Sequence, residues 1–230
     1  MSGKLYGVGV GPGDPELLTL KAVRVIKECE VVAVPGLKKE ETVSYAIVLQ
    51  AVPELSGKFC LELDMPMTKD KEKLEQSHKA AFEKLEKELG QGKSVAFLTL
   101  GDPCIYSTYL YMHQRAIEAG FQTEIINGIP SFCAVAAKLN QGLVEKSQML
   151  HIIPSTYGIG EGIQMPGTKV LMKPGKKLNV IREGLAAFPA VQVSMVENCG
   201  MEGERVHCGI DEIPDKAGYY SLMVVKEKEL

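Results

Sequence analysis

Two stretches of this chain end an apolar run in a glycine turn that leads through Asp-Pro towards a helix. Residues 4–19 read KLYGVGVGPGDPELLT, and residues 95–108 read VAFLTLGDPCIYST. A run that is apolar at every position, rather than at alternate ones, fits a strand covered on both faces, as in a parallel sheet flanked by helices. Two such strand ends of similar shape predict one ligand held largely by main chain.

The rest of the chain follows a strand–helix rhythm. After the first turn, Leu17, Leu20, Val23 and Ile26 share one face at helical spacing. Strands are predicted over 31–35, 95–100, 121–126, 149–155, 168–173, 190–197 and 219–225. Helices are predicted over 70–89, 107–119, 132–139 (with Ser131 as its cap) and 177–188. Residues 70–89 are strongly amphipathic, with their Glu and Lys on a solvated face that includes His78. Asn127-Gly128 and Pro130 break the chain, so the boundary between two α/β domains is set there, 1–128 and 129–230, with a cleft expected between them.

A chain of 230 residues that is 45% hydrophobic and 24% charged has enough apolar side chain for a sizeable core. Its formal net charge of −3 gives no overall attraction to nucleic acid or anionic lipid, and no stretch approaches the roughly 20 apolar residues that cross a bilayer. The start, MSGKLYGVGV, has no signal-peptide pattern, so a cytoplasmic protein is expected, with neither nucleic acid nor membrane as partner. The cysteines, Cys29, Cys60, Cys104, Cys133, Cys199 and Cys208, form no Cys-x-x-Cys pair and have no histidine at finger spacing, so no metal site is expected.

The glycine turns exclude the common nucleotide folds. The dinucleotide fingerprint, started at Gly7, needs a glycine where Pro12 stands; started at Gly9, it meets Asp14. There is no phosphate loop, and neither turn carries Lys or Arg. Loops with Asp14, Asp102, Pro12, Pro15 and Pro103 suit a neutral or cationic ligand, and S-adenosylmethionine has no phosphate and a positive sulfonium. Helix capping by the acids and turn shaping by Gly-Pro account for the same residues equally well.

The segments GVGVGPGDPELLTLKAVRVIKECEVV, LTLGDPCIYST, GIPSFCAVAA, VLMK and MVENCGMEGERV resemble, in order and over essentially the whole chain, the signatures of the tetrapyrrole methylases. GDPCIYSTYLYMHQR and GIPSFCAVAAKLN are most similar to the subgroup that methylates C20 of precorrin-2 or cobalt-factor II. Members acting on uroporphyrinogen III carry an acid after the second strand, where this chain has Pro35.

The resemblance implies an α/β fold of two domains, a homodimer, and S-adenosylmethionine bound in the interdomain cleft, with S-adenosylhomocysteine as product. The implied donor contacts are Pro12, Gly101, Asp102, Pro103, Ile105, Tyr106, Ser107 and Thr108, then Ser131 and Phe132, then Met172, Cys199 and Ser221. Glycine would admit the ligand and proline would stiffen the turn. Asp102 reads equally as ligand contact and as helix cap. The tetrapyrrole substrate carries many carboxylates, for which Lys38, Lys39, Lys173 and Arg115 are candidates, each also read as solvated surface. Tyr106 is placed nearest the site, and Tyr109 and Tyr111 in packing or cleft-lining roles. His113, His151 and His207 are read as surface or core residues, with a place near a substrate cobalt as the alternative, and no proton acceptor can be named. Alternatives are methylation of another corrinoid carbon, a tetrapyrrole carrier without donor pocket, and a nucleotide-binding hydrolase or dehydrogenase.

Overall fold

The computed structural model describes residues 3–154, 159–186 and 191–227 and divides into two units, Met1–Pro130 and Ser131–Leu230. Unit 1 contains β1 (Lys4–Gly9), α1 (Leu20–Glu28), β2 (Val31–Pro35), α2 (Val43–Ala51), β3 (Phe59–Leu63), α3 (Lys71–Gly90), β4 (Val95–Thr99), α4 (Tyr109–Glu118) and β5 (Gln122–Ile126). Its five strands form one parallel sheet in the order β3-β2-β4-β1-β5. Both faces are covered. Val32, Val34, Ala96 and Leu98 pack with Ala22, Val25, Ile26, Ile47 and Val48 on one side, while Val31, Ala33, Val95 and Phe97 pack with Ala81, Phe82, Leu85 and Met112 on the other. That double cover is why VAFLT is buried at every position.

Several expectations change. Leu20 is 91% exposed, and the buried face of α1 is Ala22, Val25 and Ile26. Thr19 accepts the Ala22 N–H and starts the helix only at Leu20, leaving Leu17 in a separate 3-10 turn and rotating the stripe. His78 is buried and stacks on Tyr111 with ring centroids 4.4 Å apart. Burial and the nearby Arg115 guanidinium lower its pKa. α4 begins at Tyr109 rather than Ser107, and α2 and β3 are additions to the predicted elements.

At the outer edge of this sheet Glu124 of β5 accepts from Lys4 of β1 (2.6 Å) and Lys21 of α1 (2.7 Å). Hydrogen bonds from Lys21 and Lys4 hold its pKa down at about 2. A carboxylate depressed in the folded state stabilises above its unfolded pKa of about 4.3, and the contribution is lost as pH falls through about 2. Glu124→Gln is therefore expected to cost about 0.5–1 kcal/mol at neutral pH. In chemical denaturation the gap from wild type should close as pH is lowered across that window.

Unit 2 contains α5 (Ser131–Lys138), β6 (Leu150–Pro154), α6 (Ile159–Gln164), β7 (Thr168–Met172), α7 (Leu178–Ala186), β8 (Val191–Glu197), β9 (Arg205–Cys208) and β10 (Ser221–Glu227). The sheet order is β6-β7-β10-β8-β9; β6 and β7 are parallel, and the other pairs antiparallel. Leu171, Val193, Met195, Met223 and Val225 bury against Leu178, Ile181 and Leu185 of α7 and Ile163 of α6. α6 and β9 were not predicted. The predicted ends at Ser155, Phe188 and Ala190 lie outside the described residues. Among the described residues no helix is long and apolar enough to cross a membrane.

Candidate active site

The carboxyl ends of β1, β4 and β5 lie side by side, because β1 pairs with both of the others. The chain also reverses its direction of travel across the sheet here, the position at which open α/β sheets present ligand sites. Gly11 and Gly101 form an isolated antiparallel bridge: the Gly101 N–H donates to Gly11 O (2.8 Å) and the Gly11 N–H to Gly101 O (3.2 Å). Both have positive φ, +75° and +73°. Gly128 closes against them, since a Cβ there would lie 2.2 Å from Gly101 O and 2.7 Å from the Gly9 carbonyl carbon.

At Gly9 and Gly128 a side chain is excluded by the close approach of other main chain. The consequence is a rigid floor of peptide groups. Pro12, Gly101 and Pro103 are buried in it; Ile105 is half-buried and Tyr106 is exposed. Tyr106 has φ +49°, an uncommon left-handed value for a non-glycine residue, at the tip of the β4 loop.

Asp102 neither caps a helix nor points into solvent. One carboxylate oxygen accepts from the Cys104 N–H (2.8 Å), and the other from the Asn127 carboxamide and the Gly128 N–H (3.1 Å each). The side chain staples the β4 loop to the β5 loop. Asn127 is the partner that sequence reasoning passes over; Asn-Gly there reads only as a chain break. Ser107 Oγ lies 2.8 Å from Thr99 Oγ1 and accepts from the Tyr109 N–H (3.2 Å), so its hydroxyl fixes the entry to α4. Thr108 is the residue before that helix.

Tyr109 is fully buried with its ring over Gly7, where a Cβ would meet the ring at 2.1 Å, and its hydroxyl lies 3.0 Å from His113 Nδ1. It packs, as expected, and does not face the loops. Tyr111 is exposed and lays its ring against His78.

In unit 2, β7 ends at Met172, β8 ends just before Asn198 and Cys199, and β10 begins at Ser221. The antiparallel register (Leu222 opposite Met172, Ser221 opposite Glu197) brings these three expected contacts to the same end of three adjacent strands. Lys173 N–H donates to Ser221 O (3.1 Å), Asn198 N–H to Tyr220 O (2.8 Å), and the buried Ser221 hydroxyl to Gly218 O (2.8 Å). Ser131 is the first helical residue of α5 rather than its cap, and Phe132 is buried.

The four basic candidates all have partners within the protein. Arg115 pairs with Glu75 (2.6 Å) and Lys38 with Glu41 (2.7 Å), while Lys39 and Lys173 lie over the rings of Tyr45 and Tyr219. His151 and His207 are likewise held, by Pro166 O (2.9 Å) and Glu197 (3.2 Å). Among the described residues no cluster of three or more potential metal ligands occurs.

Residues 4–214 match the family model of the tetrapyrrole (corrin/porphyrin) methylases. The chain belongs to the tetrapyrrole methylases. A probable cobalt-precorrin-2 C(20)-methyltransferase from Methanocaldococcus jannaschii is 39% identical, over 97% of this chain and 96% of that one. A precorrin-2 C(20)-methyltransferase from a Sinorhizobium species is 31% identical, over 97% and 95%. In fold, this tetrapyrrole methylase is similar to the uroporphyrin-III C-methyltransferase of Thermus thermophilus solved with S-adenosylhomocysteine. There the TM-score is 0.72 at 22% identity, covering 98% of each chain.

Proposed function

We propose that this tetrapyrrole methylase transfers the methyl group of S-adenosylmethionine to C20 of cobalt-factor II or precorrin-2 in cobalamin biosynthesis. The observation that carries the reading is the 39% identity to the probable cobalt-precorrin-2 C(20)-methyltransferase of Methanocaldococcus jannaschii along almost the full length of both chains. The site chemistry agrees with a phosphate-free cationic donor. Segments 9–15, 99–108 and 127–131 contain no Lys or Arg, and they present main-chain groups at a glycine floor. Pro12, Gly101, Asp102, Pro103, Ile105, Tyr106, Ser107 and Thr108 are the proposed donor contacts of unit 1. Ser131, Phe132, Met172, Cys199 and Ser221 are those of unit 2.

The donor supplies an electrophilic methyl on a sulfonium. The chain's part is to hold that group and the acceptor carbon in line, where effective molarities can reach on the order of 10⁵ M, and to keep water away. Rigidity of the Gly9–Gly101–Gly128 contact serves alignment directly. Asp102 is poorly suited to remove the C20 proton, since both of its oxygens already accept hydrogen bonds.

Incubation with isotope-labelled donor and either metal-free or cobalt-loaded substrate, followed by NMR of the product, is expected to place the label on C20. Label on C11 or C17 would overturn the position of attack within the same family. Calorimetry with donor alone separates an enzyme from a tetrapyrrole carrier, which would show no donor heat. The resemblance also supports a cytoplasmic homodimer, checked in mass by light scattering.

A further inference from the structure

Asp102 is only 6% exposed, yet the groups holding its carboxylate are all neutral. They are the main-chain N–H groups of Cys104 and Gly128 and the Asn127 carboxamide, with the Cys104 thiol beside them. Burial opposes ionisation, but these hydrogen bonds outweigh it and set the carboxyl below its usual pKa. No Lys, Arg or His among the described residues pairs with it, and the three strand-end segments contain none. Hydrogen bonds from neutral dipoles delocalise a charge without cancelling it. One full negative charge therefore stays at the carboxyl edge of the unit 1 sheet.

We propose that this uncompensated carboxylate makes the site distinguish the methyl donor from its demethylated product by charge. The inference rests on the donor-site reading above. Transfer moves a methyl from sulfur to carbon while the sulfur keeps the electron pair of the broken bond. The cationic sulfonium thus becomes a neutral thioether, and the adenosine and amino-acid parts do not change. Main-chain contacts see both forms alike, whereas Asp102 attracts only the sulfonium. At an effective dielectric of about 20, a separation of about 10 Å still corresponds to a preference of about tenfold. The charge stabilises the ground state as well as the approach to it, so its benefit lies in the donor's competition with product for the site and not in the chemical step.

The test is calorimetric titration of the full chain with S-adenosylmethionine and with S-adenosylhomocysteine, in wild type, Asp102→Asn and Asn127→Ala. Asp102→Asn removes the charge; Asn127→Ala removes one hydrogen bond and keeps the charge. The donor-to-product affinity ratio should fall about tenfold in Asp102→Asn and stay at the wild-type value in Asn127→Ala, even if both ligands weaken there. Asp102→Asn should also strengthen inhibition by product more than it changes kcat.

An unchanged ratio in Asp102→Asn overturns the charge assignment and leaves the donor site standing. No donor binding in wild type overturns both. If Asp102→Asn does not fold, a donor analogue with a tertiary amine in place of the sulfonium tests the wild-type protein. It should bind more tightly as pH falls through the amine's pKa, which a nearby anion raises. Beside Asp102 the Cys104 thiol is pushed up by burial and by Asp102 itself, and in the β1 loop Asp14 accepts the Glu16 N–H. Affinity independent of pH in that range overturns the proposal.

Discussion

Gly128→Ala is expected to lower the stability of unit 1 by about 3 kcal/mol, at the upper end of overpacking costs. The added methyl would sit 2.2 Å from Gly101 O and 2.7 Å from the Gly9 carbonyl carbon, and neither is the movable end of a side chain. Relief requires the β5 end to separate from β1 and β4, which also pulls the Gly128 N–H from Asp102. Thermal unfolding should show the transition of this unit shifted down by roughly 10 °C. Donor titration at a temperature where the variant is folded should show weakened binding. A variant with wild-type stability would mean that the three strand ends do not make this contact.

Gly101→Val should cost donor affinity about tenfold or more, from two sources that a control can separate. At φ +73° a β-branched residue is strained by about 1–3 kcal/mol before any ligand is considered. A side chain at the bridge with Gly11 would in addition occupy space proposed for the donor. Gly120→Val imposes the same kind of strain at φ +82°, in the turn after α4, where an added Cβ meets nothing within 4 Å. Measured where both variants are folded, only Gly101→Val should lose donor binding. Equal donor affinity in both would remove the β4 turn from the proposed site.

Elements with a single strong local pattern were legible in the sequence. β1 and β4 announce themselves as apolar runs stopped by Gly-x-Gly or Gly-Asp-Pro, and α3 by its charged stripe, although Asp70, read as its first residue, is its cap. α2, VSYAIVLQA, is apolar on nearly every side because it lies between sheet and loops, so it has no stripe to read. β3 is five residues of FCLEL, too short to separate from a loop. The faces of α1 and α3 were misjudged at Leu20 and His78 for different reasons, a cap that shifts the helix start and a tyrosine ring brought from α4.

Within the site, residue types were readable and their roles were not. Asp102 and Asn127 are 25 positions apart, and nothing local says that one carboxylate will bind both its own loop and the next. The same holds for Gly9 and Gly128, whose lack of a side chain answers to each other's backbone.

β5 is the last strand of its unit to leave the ribosome, and it docks beside β1, the first. Until residues 127 and 128 emerge, the Asp102 carboxylate has neither its carboxamide partner nor the second main-chain donor. A chain that stops short of that point lacks the Asn127 and Gly128 donors, so fixing the Asp102 carboxylate and completing the proposed donor floor depend on the same two residues.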